Sequence, residues 1–146
     1  MKNNVFIQLA LVGSLALSLQ AEFLRDDSKN IVLDSSNGLI WQDDAVVKTT
    51  TRTWTDALTY CEGLSTGGYD DWRLPNQNEL RSIIDKSRVN PSLSPKFVNF
   101  ASSLYWSSTT YAGNAGNAWV VYFNFGYDDA DDKTNSIYVR CVRAGQ

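Results

Sequence analysis

Histidine is absent from this 146-residue chain and cysteine occurs only twice. Serine–histidine triads, histidine-held zinc or haem, and four-cysteine zinc or iron–sulfur centres are therefore excluded. Positive charge is also short, with 13 Lys and Arg against 16 Asp and Glu and a formal net charge of −3. That balance argues against a nucleic-acid partner. The one candidate basic patch, Arg81, Lys86, Arg88 and Lys96, is interrupted by Asp85 and reads as ordinary solvated surface. Internal repeats, coiled-coil heptads and low-complexity tracts are absent too. With 43% hydrophobic and 20% charged residues, the length fits one compact domain.

The only long apolar run, Val5 to Leu19 after Lys2, is short for a bilayer span and ends abruptly. It reads as a signal peptide over residues 1–21, cleaved after Ala21, with an uncleaved N-terminal anchor as the alternative. Cleavage leaves 12 Lys and Arg against 16 Asp and Glu, because Lys2 is the one charge removed. No cysteine stands near the cleavage point, which argues against lipid anchoring. The domain at 22–146 is then expected to have no stable membrane span and to be periplasmic or secreted, in an oxidising compartment.

Ile31-Val32-Leu33 and Leu39-Ile40-Trp41 flank Asp34-Ser35-Ser36-Asn37-Gly38, a hairpin signal in which Asn-Gly suits positive φ. After a polar stretch from Gln42 to Arg52, Thr53 and Asp56 form a T-x-x-D capping box. Trp54, Ala57, Leu58, Cys61 and Leu64 then recur on one helical face, which Thr66-Gly67-Gly68 ends. Pro75 and Asn76, with Glu79 as capping partner, open a short second helix whose buried stripe is Leu80, Ile83 and Ile84. Asn90-Pro91 and Ser94-Pro95 predict irregular loop, with Phe97 and Phe100 plugging the core. Three strands follow, at Leu104–Ser107, Ala118–Phe125 and Ile137–Val142. In the middle one, Trp119, Val121, Phe123 and Phe125 predict an apolar face opposite a mixed face of Val120, Tyr122 and Asn124.

Cys61 on the helix face and Cys141 in the last strand read as a disulfide closing a loop of about 80 residues, worth roughly 4 to 5 kcal/mol in the chain-entropy model. Two free buried thiols and a redox pair are the alternatives, although redox pairs are more often C-x-x-C.

Six ordered motifs carry a family resemblance: Gly38-Leu39-Ile40-Trp41, Trp54 to Cys61, Gly68 to Pro75, Glu79-Leu80, Tyr105 to Thr109, and Tyr138 to Arg143. From about Asp34 to Arg143 the chain closely resembles the Lcl C-terminal domain family, a bacterial domain of unknown function. That family in turn looks like a branch of the C-type lectin-like fold, shared with the formylglycine-generating enzyme superfamily. The resemblance implies an α+β fold of two helices packed on short antiparallel sheets with long irregular loops. It also implies a disulfide from first helix to last strand, and Cys61 and Cys141 fall at those positions. The copper enzymes of the superfamily need a further cysteine pair, which this chain lacks. Neither the Glu-Pro-Asn nor the Trp-Asn-Asp pattern of Ca²⁺-dependent sugar binders is present. The adhesin after which the family is named also implies a possible homo-oligomer.

Between Ser107 and Ser136, 24 of the 30 residues are Ala, Asp, Gly, Asn, Ser, Thr or Tyr, the mixture that antibody loops use for contact and adaptable hydrogen bonding. The candidate ligand-binding residues are Tyr111, Asn114, Asn117, Trp119, Tyr122, Asn124, Tyr127, Asp128, Lys133 and Asn135. Singly, each also suits a turn or a cross-strand pair. Asp128, Asp129, Asp131 and Asp132 offer hard oxygens for Ca²⁺, without the spacing of an EF-hand; no other cofactor is expected. Trp72 reads as core and Arg73 as the partner of a carboxylate such as Asp71 or Glu79; Trp41, Trp54 and Trp106 read as core, and Trp119 as core or platform.

The expectation is an exported, non-catalytic binding module, adhesin-like or receptor-binding, whose late loops recognise a glycan or a protein. Alternatives are a ligand-binding protein diversified by a retroelement, since many late residues are reachable from Asn codons, a self-associating envelope protein, and a carboxylate- or metal-dependent enzyme. For the last, the sequence shows no buried carboxylate pair suited to acid–base work.

Overall fold

The computed structural model describes residues 22–145, so the signal peptide expected over 1–21 lies outside the described residues. β1 (Phe23–Asp26) pairs antiparallel with β2 (Ile31–Asp34), which pairs with β3 (Leu39–Gln42). The expected hairpin forms, with Gly38 at φ 74° and the Asn37 side chain accepting the Leu39 N–H at 2.9 Å. β1 precedes the first strand expected from the sequence, at Ile31. It is an edge strand with Leu24 exposed, held by Phe23 packing edge-on to Phe97 at 5.3 Å.

The polar stretch after β3 holds two short elements, α1 (Val46–Thr49) and β4 (Thr51–Arg52), and its Val47 is fully buried. α2 (Trp54–Glu62) starts at the expected cap, where Thr53 accepts the Asp56 N–H at 3.4 Å. The Asp56 carboxylate accepts from the Thr53 hydroxyl at 2.9 Å rather than from the Thr53 N–H, so only the N-cap half of the expected capping box forms. The helix ends at Gly63, earlier than expected. Gly67 and Gly68, at φ 63° and 82°, instead turn the chain so that Thr66 and Tyr69 exchange backbone bonds. α3 (Gln77–Ser82) carries the full Asn76–Glu79 capping box.

β5 (Leu104–Thr110), β6 (Asn117–Tyr122), β7 (Tyr127–Asp132), β8 (Ile137–Tyr138) and β9 (Val142–Ala144) complete the α+β chain. One sheet runs β1-β2-β3-β9 and the other β4-β8-β5-β6-β7. The strand expected over 118–125 stops at Tyr122, because Phe123–Gly126 form the turn to β7. The single last strand expected over 137–142 is also split. β8 belongs to the five-stranded sheet and β9 to the four-stranded one, so Val139, Arg140 and Cys141 cross between them.

Successive residues of the central strands enter two different cores. Ile31, Ile40, Trp106, Val120 and Cys141 pack with Ala57 and Cys61 of α2. Their neighbours Val32, Trp41, Tyr105, Val121 and Val142 pack with Leu80 and Ile83 beside α3. Strands buried on both faces read as continuous apolar runs, and this corrects the expected mixed face at Val120. Trp41, Trp72 and Trp106 are core residues, as expected, and so is Phe97.

The crossing is held by one covalent bond and one buried ion pair. Cys61 and Cys141 are disulfide-bonded, 80 residues apart. The Cys141 N–H donates to the buried Gln42 side chain at 3.1 Å, and the Gln42 N–H donates to the Cys141 carbonyl. Arg140 Nη1 donates to Asp43 Oδ1 at 2.7 Å and to the Gln42 carbonyl at 2.6 Å, while Nη2 donates to the Asn99 carbonyl. Asp43 also accepts from Arg25 and from the Val98 N–H. Both members of the Arg140–Asp43 pair are essentially excluded from water, which makes removal of one charge costly.

Two stability outcomes follow. Replacing Asp43 with Asn should cost about 3 to 5 kcal/mol in urea unfolding, since Arg140 is left buried without its counter-charge; a loss below about 1 kcal/mol would contradict the hub. Cys141→Ser should lower stability by about 3 kcal/mol, under the loop-entropy ceiling of about 4.5 kcal/mol, and should abolish the effect of reductant on the unfolding midpoint.

Candidate functional site

The β6–β7 hairpin carries most of the candidate ligand-binding residues, but it sends them to two ends. Five residue steps of β6 at about 3.3 Å each separate those ends by about 17 Å. A single late-loop site containing all of them is therefore not formed.

At one end several of the polar groups bond within the chain. Lys133 Nζ donates to the Thr110 hydroxyl and the Ala115 carbonyl, both at 2.9 Å, and lies 4.0 Å over the Trp54 ring. Tyr111 packs edge-on to Trp119 at 5.2 Å, and a Cβ on Gly113 would meet its ring at 2.7 Å. Asn114 accepts the Gly116 N–H, and Asn135 donates to Asp131 Oδ1. Asn117 holds the loop by accepting the Tyr111 N–H on its carbonyl. These contacts support the loop, whose tip at 112–116 is exposed.

The acidic run Asp128–Asp132, considered for Ca²⁺, lies in a strand. β7 is the outer strand of its sheet, and its carboxylates alternate between faces: Asp128 and Asp132 on one, Asp129 and Asp131 on the other. Lys133 donates its N–H to Gly116, so the ladder leaves the even-numbered amides of β7 on the open edge. Asp129 and Asp131 cap two of these, accepting the Ala130 and Asp132 N–H at 2.8 Å each. Thr134 donates its N–H and hydroxyl to Asp132, holding that carboxyl below the usual range. Asp128 accepts from Gln77 Nε2 at 2.6 Å, and its Oδ2 lies 3.6 Å from Arg81. The four carboxylates grouped for Ca²⁺ do not converge, and among the described residues no cluster of three or more acidic side chains does. The run blunts an open sheet edge.

The other end is open. Tyr122 takes Phe125 edge-on at 5.6 Å and Tyr127 at 5.3 Å, and its hydroxyl accepts from Asn124 Nδ2 at 3.0 Å. Phe125 is 62% exposed and Tyr127 48%. The Asn90 N–H bonds the Asn124 carbonyl at 2.7 Å, bringing Val89, 71% exposed, alongside. Gly126, at φ 76°, lets the turn close on the α3 side, since a Cβ there would meet Ile84 at 3.0 Å and Ser92 at 3.1 Å. Between turn and helix lies a cleft of about 500 Å³ lined by Asn78, Arg81, Lys86, Tyr127 and Asp128. Through Ser82, Ile84 and Lys86 it adjoins a second cleft of about 500 Å³ that reaches Phe23.

Sequence reasoning found Tyr122, Asn124, Tyr127 and Asp128 of this face. It assigned Phe125 to the apolar face of a strand, and it missed Asn78, Arg81 and Lys86 as lining, although Arg81 and Lys86 stand in the one basic patch it noted. Lys96 of that patch lies elsewhere, its carbonyl against Arg25.

α3 is fixed beside the cleft by its cap. Glu79 accepts from Arg73 Nη1 at 2.7 Å and Nη2 at 2.6 Å, and from the Asn76 N–H at 2.8 Å. Burial alone would raise the Glu79 carboxyl, but the Arg73 and Asn76 donors outweigh it and hold it below its ordinary value. Asp71, the other partner considered for Arg73, pairs with Arg143.

A disulfide-tied α+β domain with an open aromatic face, and with no convergent carboxylate set among the described residues, is thus in place. Residues 30–143 match the family model described as the Lcl C-terminal domain, and the chain belongs to that family. No curated protein matches the chain. Among the described residues no helix is long and apolar enough to cross a membrane.

Because the folded Glu79 carboxyl is depressed, its stabilising contribution is present above the ordinary carboxyl range and is lost as pH falls through the folded value. Glu79→Gln should therefore flatten the loss of stability between about pH 5 and pH 3 in urea unfolding, by less than about 1 kcal/mol given its exposed partner. An identical pH profile for the variant would show that the Arg73–Glu79 pair contributes nothing.

Proposed function

We propose that the protein is an exported, non-catalytic binding module, adhesin-like or receptor-binding, that takes a glycan or protein ligand on the face formed by the β6–β7 turn and α3. The carrying observation is the three-ring cluster of Tyr122, Phe125 and Tyr127, two of its rings substantially exposed, opening on a cleft with charged and amide groups. Phe125 and Tyr127 are the large aromatic rings that are exposed among the described residues, and exposed aromatics gathered in one place are a recognition feature. The commitment of the late carboxylates to backbone amides, Gln77 and Arg81 supports binding over acid–base chemistry. The bonded cysteine pair supports a periplasmic or secreted location.

Glycan-array and protein pull-down screens with the oxidised chain test this reading. Phe125→Ala and Tyr127→Ala should each weaken capture at least about tenfold, or about 1.4 kcal/mol, with the unfolding midpoint unchanged. Capture indifferent to both variants would move the site off this face. Lys133→Met should lower stability without changing capture.

A further inference from the structure

We infer that the β6–β7 turn face receives an acidic protein segment carrying an apolar anchor residue. The inference rests on the proposed binding role and adds the chemistry of the ligand. The chain is acidic, with 16 Asp and Glu against 13 Lys and Arg, yet the segment from 81 to 88 carries Arg81, Lys86 and Arg88 against Asp85 alone. Asp85 forms no ion pair with them among the described residues, its Oδ1 accepting the Ser87 N–H at 3.0 Å and hydroxyl at 2.6 Å, so three cations against one carboxylate leave the segment a net positive charge. Arg81 approaches Asp128 only through Nε. Its terminal nitrogens, and the Lys86 and Arg88 side chains, make no hydrogen bond or ion pair among the described residues. Lys86 and the terminal nitrogens of Arg81, whose Nε faces Asp128, thus line the cleft with Tyr127, while Arg88 adjoins exposed Val89 in the chain and exposed Phe125 lies in the same turn as Gly126.

A ligand complementary to that pattern places carboxylates against the cations and an apolar side chain against the rings. Polypeptide fits better than sugar on two grounds. Phe125 and Val89 have no polar tip that would fix a sugar's hydroxyls in orientation, whereas an apolar side chain packed on them needs none. The Tyr122 ring also meets both neighbours edge-on, at 77° and 79°, which gives a ridged surface suited to an inserted side chain. Aromatic and arginine side chains are the types that dominate protein interfaces, and the uncompensated cations would steer an acidic partner in a salt-dependent way.

The test selects a displayed library of random dodecapeptides on the oxidised full chain, with a glycan array run in parallel. Enriched peptides should carry Asp or Glu around a Leu, Ile, Phe or Trp. Their affinity should fall at least tenfold with Phe125→Ala, at least tenfold with Arg81→Glu combined with Lys86→Glu, and markedly between about 50 mM and 500 mM salt. Enrichment without acidic bias, or binding indifferent to these variants, overturns the inference. Glycan binding lost in Tyr127→Ala with no peptide enriched overturns it while leaving the binding role standing. A dimer in light scattering that Phe125→Ala dissociates would put a second copy on the face and overturn it as well. No ligand in any arm would remove both the inference and the binding role.

Discussion

The Cys61–Cys141 bond sits where the chain leaves one sheet for the other, and the rest of the domain is organised around that crossing. Between β8 and β9 the backbone has three residues outside both ladders, and each is tied by other means. Val139 enters the α2-side core, Arg140 meets Asp43, and Cys141 is bonded both to α2 and to the Gln42 side chain. A buried ion pair adds little net stability against a well-packed apolar alternative. Its consequence here is register: the guanidinium finds its acceptors on Gln42, Asp43 and Asn99 in this arrangement. The disulfide makes the same choice covalently, by fixing α2 to the end of the chain.

That frame explains why the two ends of the β6–β7 hairpin differ. The end nearer α2 is drawn in, since Trp54 lies under Lys133 and its N–H bonds the Lys133 carbonyl. The far end turns at Gly126 against Ile84 and Ser92, and its rings have no helix to cover them. Polar and aromatic residues of similar composition therefore serve as loop supports at one end and as free surface at the other. Composition alone does not separate the two roles.

Much of the fold was legible in the sequence where a local rule governs it. Asn37-Gly38 marks a real hairpin, Asn76 and Glu79 a real cap, and the spacing from Trp54 to Cys61 a real helix face. The failures lie where tertiary context overrides local preference. Tyr127–Asp132 has little intrinsic strand propensity, yet it pairs with β6 over six positions because the turn returns it there. β1 has one apolar residue exposed and one packed on a distant phenylalanine, so no periodic signal marks it. Val120 and Val121 both face cores, which erases the alternation that would have shown where β6 ends. The site was half legible: Tyr122 and Tyr127 stood out by type, whereas Arg81 and Lys86 join them only because α3 packs across the sheet.

The central claim is that the crossing at residues 139–141 couples both sheets into one cooperative frame. Amide hydrogen exchange of the oxidised and the reduced protein tests it most directly. The coupled frame predicts that reduction lowers protection in β3 and β6 together and by similar factors, although neither strand contains a cysteine. Loss of protection confined to α2 and the segment around Cys141, with β6 and β3 unchanged, would contradict it.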